Sequence, residues 1–346
     1  MARGRKVEAA GGADVLVVGG GPGGAAAAIT CAAAGLRVTL IERDPPGRDR
    51  PGETLHPGVE PLFARLGVEK EMLSAGFLRH EGHWVKWSGP PRFEQFGGGG
   101  GGPWLGFQVW RAEFDAMLLR RAQDLGVEIR RPCRVSGVLV ERERVVGVST
   151  PAGDVRARVV VDAAGCRHWL ARELRIPVVE YSPRLIATYG YSVGSCAARD
   201  AAPSLAADVD GWTWTACVRP GTYAWTRLNL AGEKTGSDWL PAELRGLSRR
   251  GPARAADVTW RVAARPAGPG FYLVGDAASV LDPASSHGVL KAIMSGIMAG
   301  DLISKTARGL VFEAQAARAY GEWVGNWFRH DTERLNSLYA IFRPRQ

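Results

Sequence analysis

Cysteine is scarce and unpatterned in this 346-residue chain: Cys31, Cys133, Cys166, Cys196 and Cys217 are five in number, with no Cys-x-x-Cys among them. A disulfide framework and a metal centre are therefore both unexpected. Long apolar runs are missing too. No stretch reaches the ~18 uninterrupted apolar residues of a spanning helix, and no apolar signal core follows the basic Met1–Lys6 start. These two absences predict a cytoplasmic protein without a membrane span. There is no internal repeat, no Ser/His/Asp hydrolytic arrangement and no carboxylate pair suited to glycoside chemistry. Net charge is +9, most of it arginine, but no basic run is interleaved with aromatics. Nucleic acid is therefore not an expected partner.

Glycine is placed with purpose near the start. The apolar run Val15–Val18 enters a turn containing Gly19, Gly21 and Gly24, an alanine-rich stretch runs to Ala34, and Val38–Ile41 ends in Glu42. The pattern predicts strand, tight turn, helix, strand. Gly19 permits the turn, Gly21 lets the backbone approach a pyrophosphate, and Gly24 lets the helix pack close to the sheet. The helix start then offers free N–H groups and partial positive charge to the phosphates. Glu42, 18 residues beyond Gly24, is placed to accept hydrogen bonds from an adenosine ribose.

Further along, Gly58–Leu66 and Arg111–Leu125 have helical periodicity, and His83–Trp87 has the look of a strand. The six glycines Gly97–Gly102 read as a loop, either inert or a mobile lid. Val127–Arg130, Val135–Val140, Val145–Ser149 and Val155–Val161 predict four strands, three of them a meander, with Asp162-Ala163-Ala164-Gly165 closing the last. From Pro177 to about Arg265 the composition shifts to strand formers and aromatics, which predicts a mostly antiparallel sheet carrying a pocket. Phe271–Asp276 is an expected buried strand ending in Gly-Asp, Gly288–Ser304 a long helix, and residues 312–342 two more.

Taken together, the Gly19 turn, the Gly165 segment and Val274-Gly275-Asp276-Ala277-Ala278 resemble the FAD-binding oxidoreductases of the para-hydroxybenzoate hydroxylase fold. The resemblance implies an α/β fold. An FAD-binding βαβ (Rossmann-like) domain with a three-stranded meander would span 12–178 and 265–306. An antiparallel substrate sheet would span 179–264, and short C-terminal helices 307–346. It also implies that Asp276 accepts hydrogen bonds from the flavin ribityl chain, with Pro283 and Gly288 reaching the isoalloxazine ring. Read without the family, Asp276 is a plausible helix cap. A narrower likeness lies in Gly52-Glu53-Thr54-Leu55-His56-Pro57, Gly211-Trp212-Thr213-Trp214 and Asp282-Pro283-Ala284-Ser285-Ser286-His287-Gly288. These resemble the flavin-dependent tryptophan halogenase superfamily, which includes geranylgeranyl-reductase-like enzymes and quinone-cofactor-forming flavoprotein monooxygenases. Arg111 matches a residue those folds aim at the ribityl–phosphate region, or is a helix-start arginine. Arg43, Thr54 and Val135 complete the candidate FAD contacts.

The expected function is a flavin monooxygenase acting on an aromatic or indolic substrate. In a halogenase, hypohalous acid made at the flavin passes to a lysine beside the substrate, and Lys86 falls in about the right region. Its other reading is an edge-strand lysine with its head in water. Trp214 lies in a Trp-x-Trp that puts two rings on one strand face, yet Thr215-Ala216-Cys217 departs from the Ile-Pro sequel of halogenases. His287 is a candidate proton donor, or a capping histidine. Two further readings are a C=C reductase and a flavin-binding accessory protein for a peptide or carrier partner. With no second glycine fingerprint, reduced flavin is expected from a separate reductase, or nicotinamide to bind without a dedicated domain.

Overall fold

The computed structural model describes residues 12–47, 49–97 and 104–340, so most of the Gly97–Gly102 run lies outside the described residues. Val15, Leu16, Val17 and Val18 have no polar atoms to satisfy beyond the backbone and are all buried, which makes Ala13–Val18 the centre of a parallel sheet. Its neighbours are Val38–Ile41 on one side, then Glu128–Arg130, and Gly153–Asp162 on the other, then Phe271–Leu273. Ala267–Gly268 closes that edge antiparallel. Arg144–Thr150 pairs antiparallel with the start of Gly153–Asp162, and Gly137–Glu141 pairs antiparallel with Arg144–Thr150 in turn. The expected meander is present, and its last strand feeds directly into the sheet.

Helix α1, Pro22–Ala33, is apolar all round because it is covered on several sides. It lies between the sheet and two other helices, α2 (Arg111–Asp124) and α3 (Gly288–Ala307). The α1–α3 crossing is a backbone-to-backbone approach. A Cβ on Gly296 would overlap the carbonyl oxygen of Gly23, and one on Gly300 would sit 2.7 Å from the Thr30 Cβ. Small residues at 296 and 300 therefore fix how α3 is seated along α1.

A second sheet is built on Ile186–Val193, Thr222–Asn229, Gly211–Arg219 and Ser204–Asp208, all antiparallel, with Ser248–Arg249 and Arg254–Asp257 at one side. It is not drawn from residues 179–264 alone. Gly82–Lys86 joins it parallel to Ser204–Asp208, and Arg92–Gln95 forms the far edge. In a further small sheet Gly106–Gln108 pairs with Thr54–Leu55 and with Leu78–His80.

One expectation is corrected: where two helices are expected over 312–342, the described residues form a single helix, α4, Glu313–Tyr339. Ala316, Tyr320, Val324, Phe328 and Leu335 make one buried stripe along it. Burying that stripe outweighs the helix cost of Gly321 and Gly325, about 1 kcal/mol each. At its start Tyr320 donates to the Leu273 carbonyl oxygen under the first sheet. At its end Phe328 and Leu335 pack with Trp212, Leu228 and Trp260 of the second layer.

Candidate functional site

At the first helix end, Gly19 has a φ of +107°, and a Cβ there would overlap the carbonyl oxygen of Ala163. A Cβ on Gly24 would overlap the carbonyl oxygen of Gly19. Gly21 differs: the nearest atom to its would-be Cβ is Arg50 Nη1 at 4.0 Å. It caps α1 without any side-chain hydrogen bond, so the helix start is left open beneath the Arg50 guanidinium. Glu42, 5% exposed, accepts from the N–H of Gly20 at 2.6 Å and of Asp44 at 2.8 Å. It braces the glycine turn against the end of the second strand. Arg50 donates to Asp44 at 2.8 Å, and Arg43 lies exposed, 3.6 Å from the same carboxylate. Val135 is half-buried on the neighbouring loop, where the Cys133 N–H donates to the Glu42 carbonyl oxygen at 2.8 Å.

Midway along, buried Arg111 holds Asp115 through two nitrogens at 3.1 and 3.2 Å and donates to the Pro51 carbonyl oxygen at 2.6 Å. Glu53 beside it is buried and accepts from the Tyr191 hydroxyl at 2.5 Å; burial raises its carboxyl. Thr54 donates to Gln108 Oε1 at 2.8 Å. Asp276 keeps solvent exposure, yet burial by the surrounding protein pushes its carboxyl up against the pull of Arg111 and Arg261. A side chain at the base of a cleft has both properties. Gly165, at φ +86°, and Gly275, at φ +58°, flank this point, and the Gly275 N–H is held by Ser295 Oγ at 2.9 Å. His168 ties the two segments together. Its Nε2 accepts from Arg261 at 3.0 Å, which leaves Nδ1 to donate to the Ala277 carbonyl oxygen at 2.9 Å. Asp162 is tied down by the N–H groups of Ala164 and Leu170, and burial pushes its carboxyl up to about 6.

At the far end, Pro283 and Gly288 are exposed, and among the described residues nothing lies within 4 Å of a would-be Cβ on Gly288. The start of α3 is therefore a second open helix end. His287 caps it, its ring 5.4 Å from that of His56 and its Nδ1 3.6 Å from Asp331 of α4. Lys291, one turn on, pairs with the same Asp331. Rings then lead into the second sheet: His56 to Phe96 at 5.7 Å, Phe96 to His83 at 5.4 Å, and His83 to Trp214 at 5.7 Å.

Lys86 does not join them. His83 and Val85 face inward on their strand, so strand alternation turns Lys86 outward, where its side chain is exposed. The role expected for it in a halogenase has no support from this placement. Trp212 and Trp214 divide their duties: Trp212 donates to the Tyr339 hydroxyl at 2.7 Å, whereas Trp214 reaches His83. Residue spacing missed Arg50, His80, His83, Phe96, Lys291 and Asp331, because only tertiary pairing gathers them. For Arg50 a signal existed, an arginine in the loop that follows the acid.

The parts fit an adenine dinucleotide carrying a flavin. A glycine turn with no room for a Cβ at Gly19 or Gly24 and open space at Gly21, an uncapped helix start under a guanidinium, and a second open helix end suit a diphosphate and an electron-rich ring. No helix among the described residues is long and apolar enough to cross a membrane. Residues 12–195 match the family described as FAD binding domain. The chain is 29% identical to 1H-pyrrole-2-carbonyl-(peptidyl-carrier protein) brominase of Pseudoalteromonas luteoviolacea, over 95% of this chain and 86% of that protein. It is 28% identical to tryptophan 2-halogenase of Chondromyces crocatus over 90% of this chain, but spans only 64% of that protein's length. The solved myxobacterial chondrochloren halogenase CndH superposes with a TM-score of 0.84 at 29% identity, covering 94% of this chain and 82% of the other. Its relatives here are flavin-dependent halogenases, and the chain belongs to the FAD binding domain family, with FAD as its cofactor.

Proposed function

We propose that the chain is an FAD-dependent enzyme of halogenase type that acts on a small aromatic ring, free or tethered to a carrier. Bound and reduced, FAD supplies reactivity with dioxygen. The glycine turn and Arg50 would hold the diphosphate, with Glu42 at the ribose and Arg43 and Val135 beside the adenosine. Thr54, Arg111, Gly165, Gly275 and Asp276 would line the ribityl chain, and Pro283 to Gly288 the ring. Here the start of α3 would favour negative charge. The observation that carries the reading is the run of rings from His287 through His56, Phe96 and His83 to Trp214, which joins the second helix end to the second sheet.

The test supplies FAD-loaded protein with a separate flavin reductase, NADH, air and bromide, together with a pyrrole or indole probe. A bromine isotope doublet in the product supports the reading; its absence under every halide removes it. Lys86→Ala is expected to leave turnover unchanged. A second reading, transfer of oxygen itself, is favoured by the outward placement of Lys86, and label from oxygen-18 gas in the product would select it. Bleaching of bound FAD by NADPH alone would remove the need for a separate reductase.

A further inference from the structure

Four of the chain's six histidines, His56, His80, His83 and His287, are drawn from three separated segments into one cluster. The cluster is not a metal site: among the described residues no three His, Cys, Asp or Glu side chains are grouped to hold an ion. Phe96 sits at its centre, with ring centroids 5.7 Å from His56, 5.4 Å from His80 and 5.4 Å from His83. The imidazole of His80 lies against the backbone of the neighbouring strand, where a Cβ on Gly106 would come within 2.7 Å of Nε2. His80 is 6% exposed, and among the described residues neither of its ring nitrogens has a hydrogen-bond partner. Among the same residues Nδ1 of His83 has none, and neither has Nε2 of the buried Gln108, which strand register places on the same face as His80.

A buried polar atom without a partner is a standing cost to the fold, and such atoms are rare unless something else completes them. Phe96 cannot: it offers these nitrogens a hydrocarbon edge. We infer that Phe96 holds the place of the substrate ring, and that His80 selects rings bearing an N–H or O–H by accepting that hydrogen. An uncharged imidazole has one bare nitrogen in either tautomer, so an acceptor is always presented. Burial, with smaller contributions from His83 and Arg79, keeps His80 uncharged near neutrality, its pKa pushed down to about 4. A ring lacking the N–H or O–H would leave that nitrogen orphaned, which is how a site rejects a near-isostere. The inference rests on the aromatic-substrate reading above and adds the residue that reads the ring.

The experiment titrates the FAD-loaded protein with indole and with 1-methylindole by calorimetry, in wild type, His80→Phe, His80→Gln and Phe96→Ala. Wild type should bind indole at least about tenfold more tightly. His80→Phe should bring the ratio to about one with FAD retention unchanged. His80→Gln, which keeps an acceptor, should preserve part of the preference even if the phenylalanine variant fails to fold. Phe96→Ala should tighten both probes and keep the ratio. No saturable binding of either probe, equal affinities in wild type, or a preference that survives in His80→Phe would each overturn the inference. Selective binding without any bromide-dependent product would instead overturn the halogenase reading alone.

Discussion

At the scale of single residues, two glycines three positions apart do different jobs. Gly24 has no room because the backbone of its own turn lies against it, whereas Gly21 looks into open space beneath Arg50. Gly24→Ala is therefore expected to destabilise the apoprotein by about 1–3 kcal/mol, as overpacking against backbone does. Gly21→Ala should leave the apoprotein melting temperature unchanged, yet lose at least about tenfold in FAD affinity, because the added methyl stands where phosphate must approach. Thermal melts of the stripped proteins, and flavin absorbance retained after gel filtration, separate the two outcomes. The crowding at Gly24 was readable from spacing, since the whole turn from Gly19 to Gly24 is made within six residues. The face on which Lys86 lies was not, because one step of strand register reverses it. The box around Phe96 was equally hidden: residues 56, 80, 83 and 287 come from three separated segments that only the tertiary fold brings together.

At the scale of elements, α4 links the two layers. Its last turn is held from below: the indole N–H of Trp87 donates to the Leu338 carbonyl oxygen, Trp212 donates to the Tyr339 hydroxyl, and that hydroxyl donates to Asp282. Asp282 also accepts from the Ala284 N–H at 2.7 Å, which shapes the turn at Pro283. The end of the helix thus steadies the loop before the start of α3. Tyr339→Phe would take a partner from the buried Asp282 and from Trp212 and should cost about 2 kcal/mol or more in a denaturant melt. The long helix was legible as apolar periodicity. Its continuity was not, since two glycines in the stretch suggest a break, and only the surfaces covering the stripe decide otherwise.

At the scale of the whole molecule, buried acids and buried imidazoles titrate against each other. Burial holds the Asp162 and Asp282 carboxyls up to about 6, above their unfolded value of about 3.9, so the folded chain keeps those protons longer. Their contribution is present below the unfolded pKa and is lost as pH rises through 6. His56 and His80 are held down at about 4, burial again being the main cause, so their contribution is present above about 6.5 and is lost as pH falls through 4. The two pairs act in opposite directions between pH 4 and 6. Asp282→Asn deletes one carboxyl from that balance. Its stability, followed by urea melts across this range, should rise with pH relative to wild type by about 1.4 kcal/mol per unit. The crossing of α1 and α3 acts over the same distance scale. With Gly296 pressed on Gly23 and Gly300 on Thr30, neither helix can slide a full turn, about 5.4 Å, past the other. Their two positive tips are therefore held like the jaws of a fixed caliper: under the proposed placement of the cofactor, a mononucleotide flavin would reach one jaw and leave the other grasping water, so cofactor length would be gauged before any side chain inspects its chemistry.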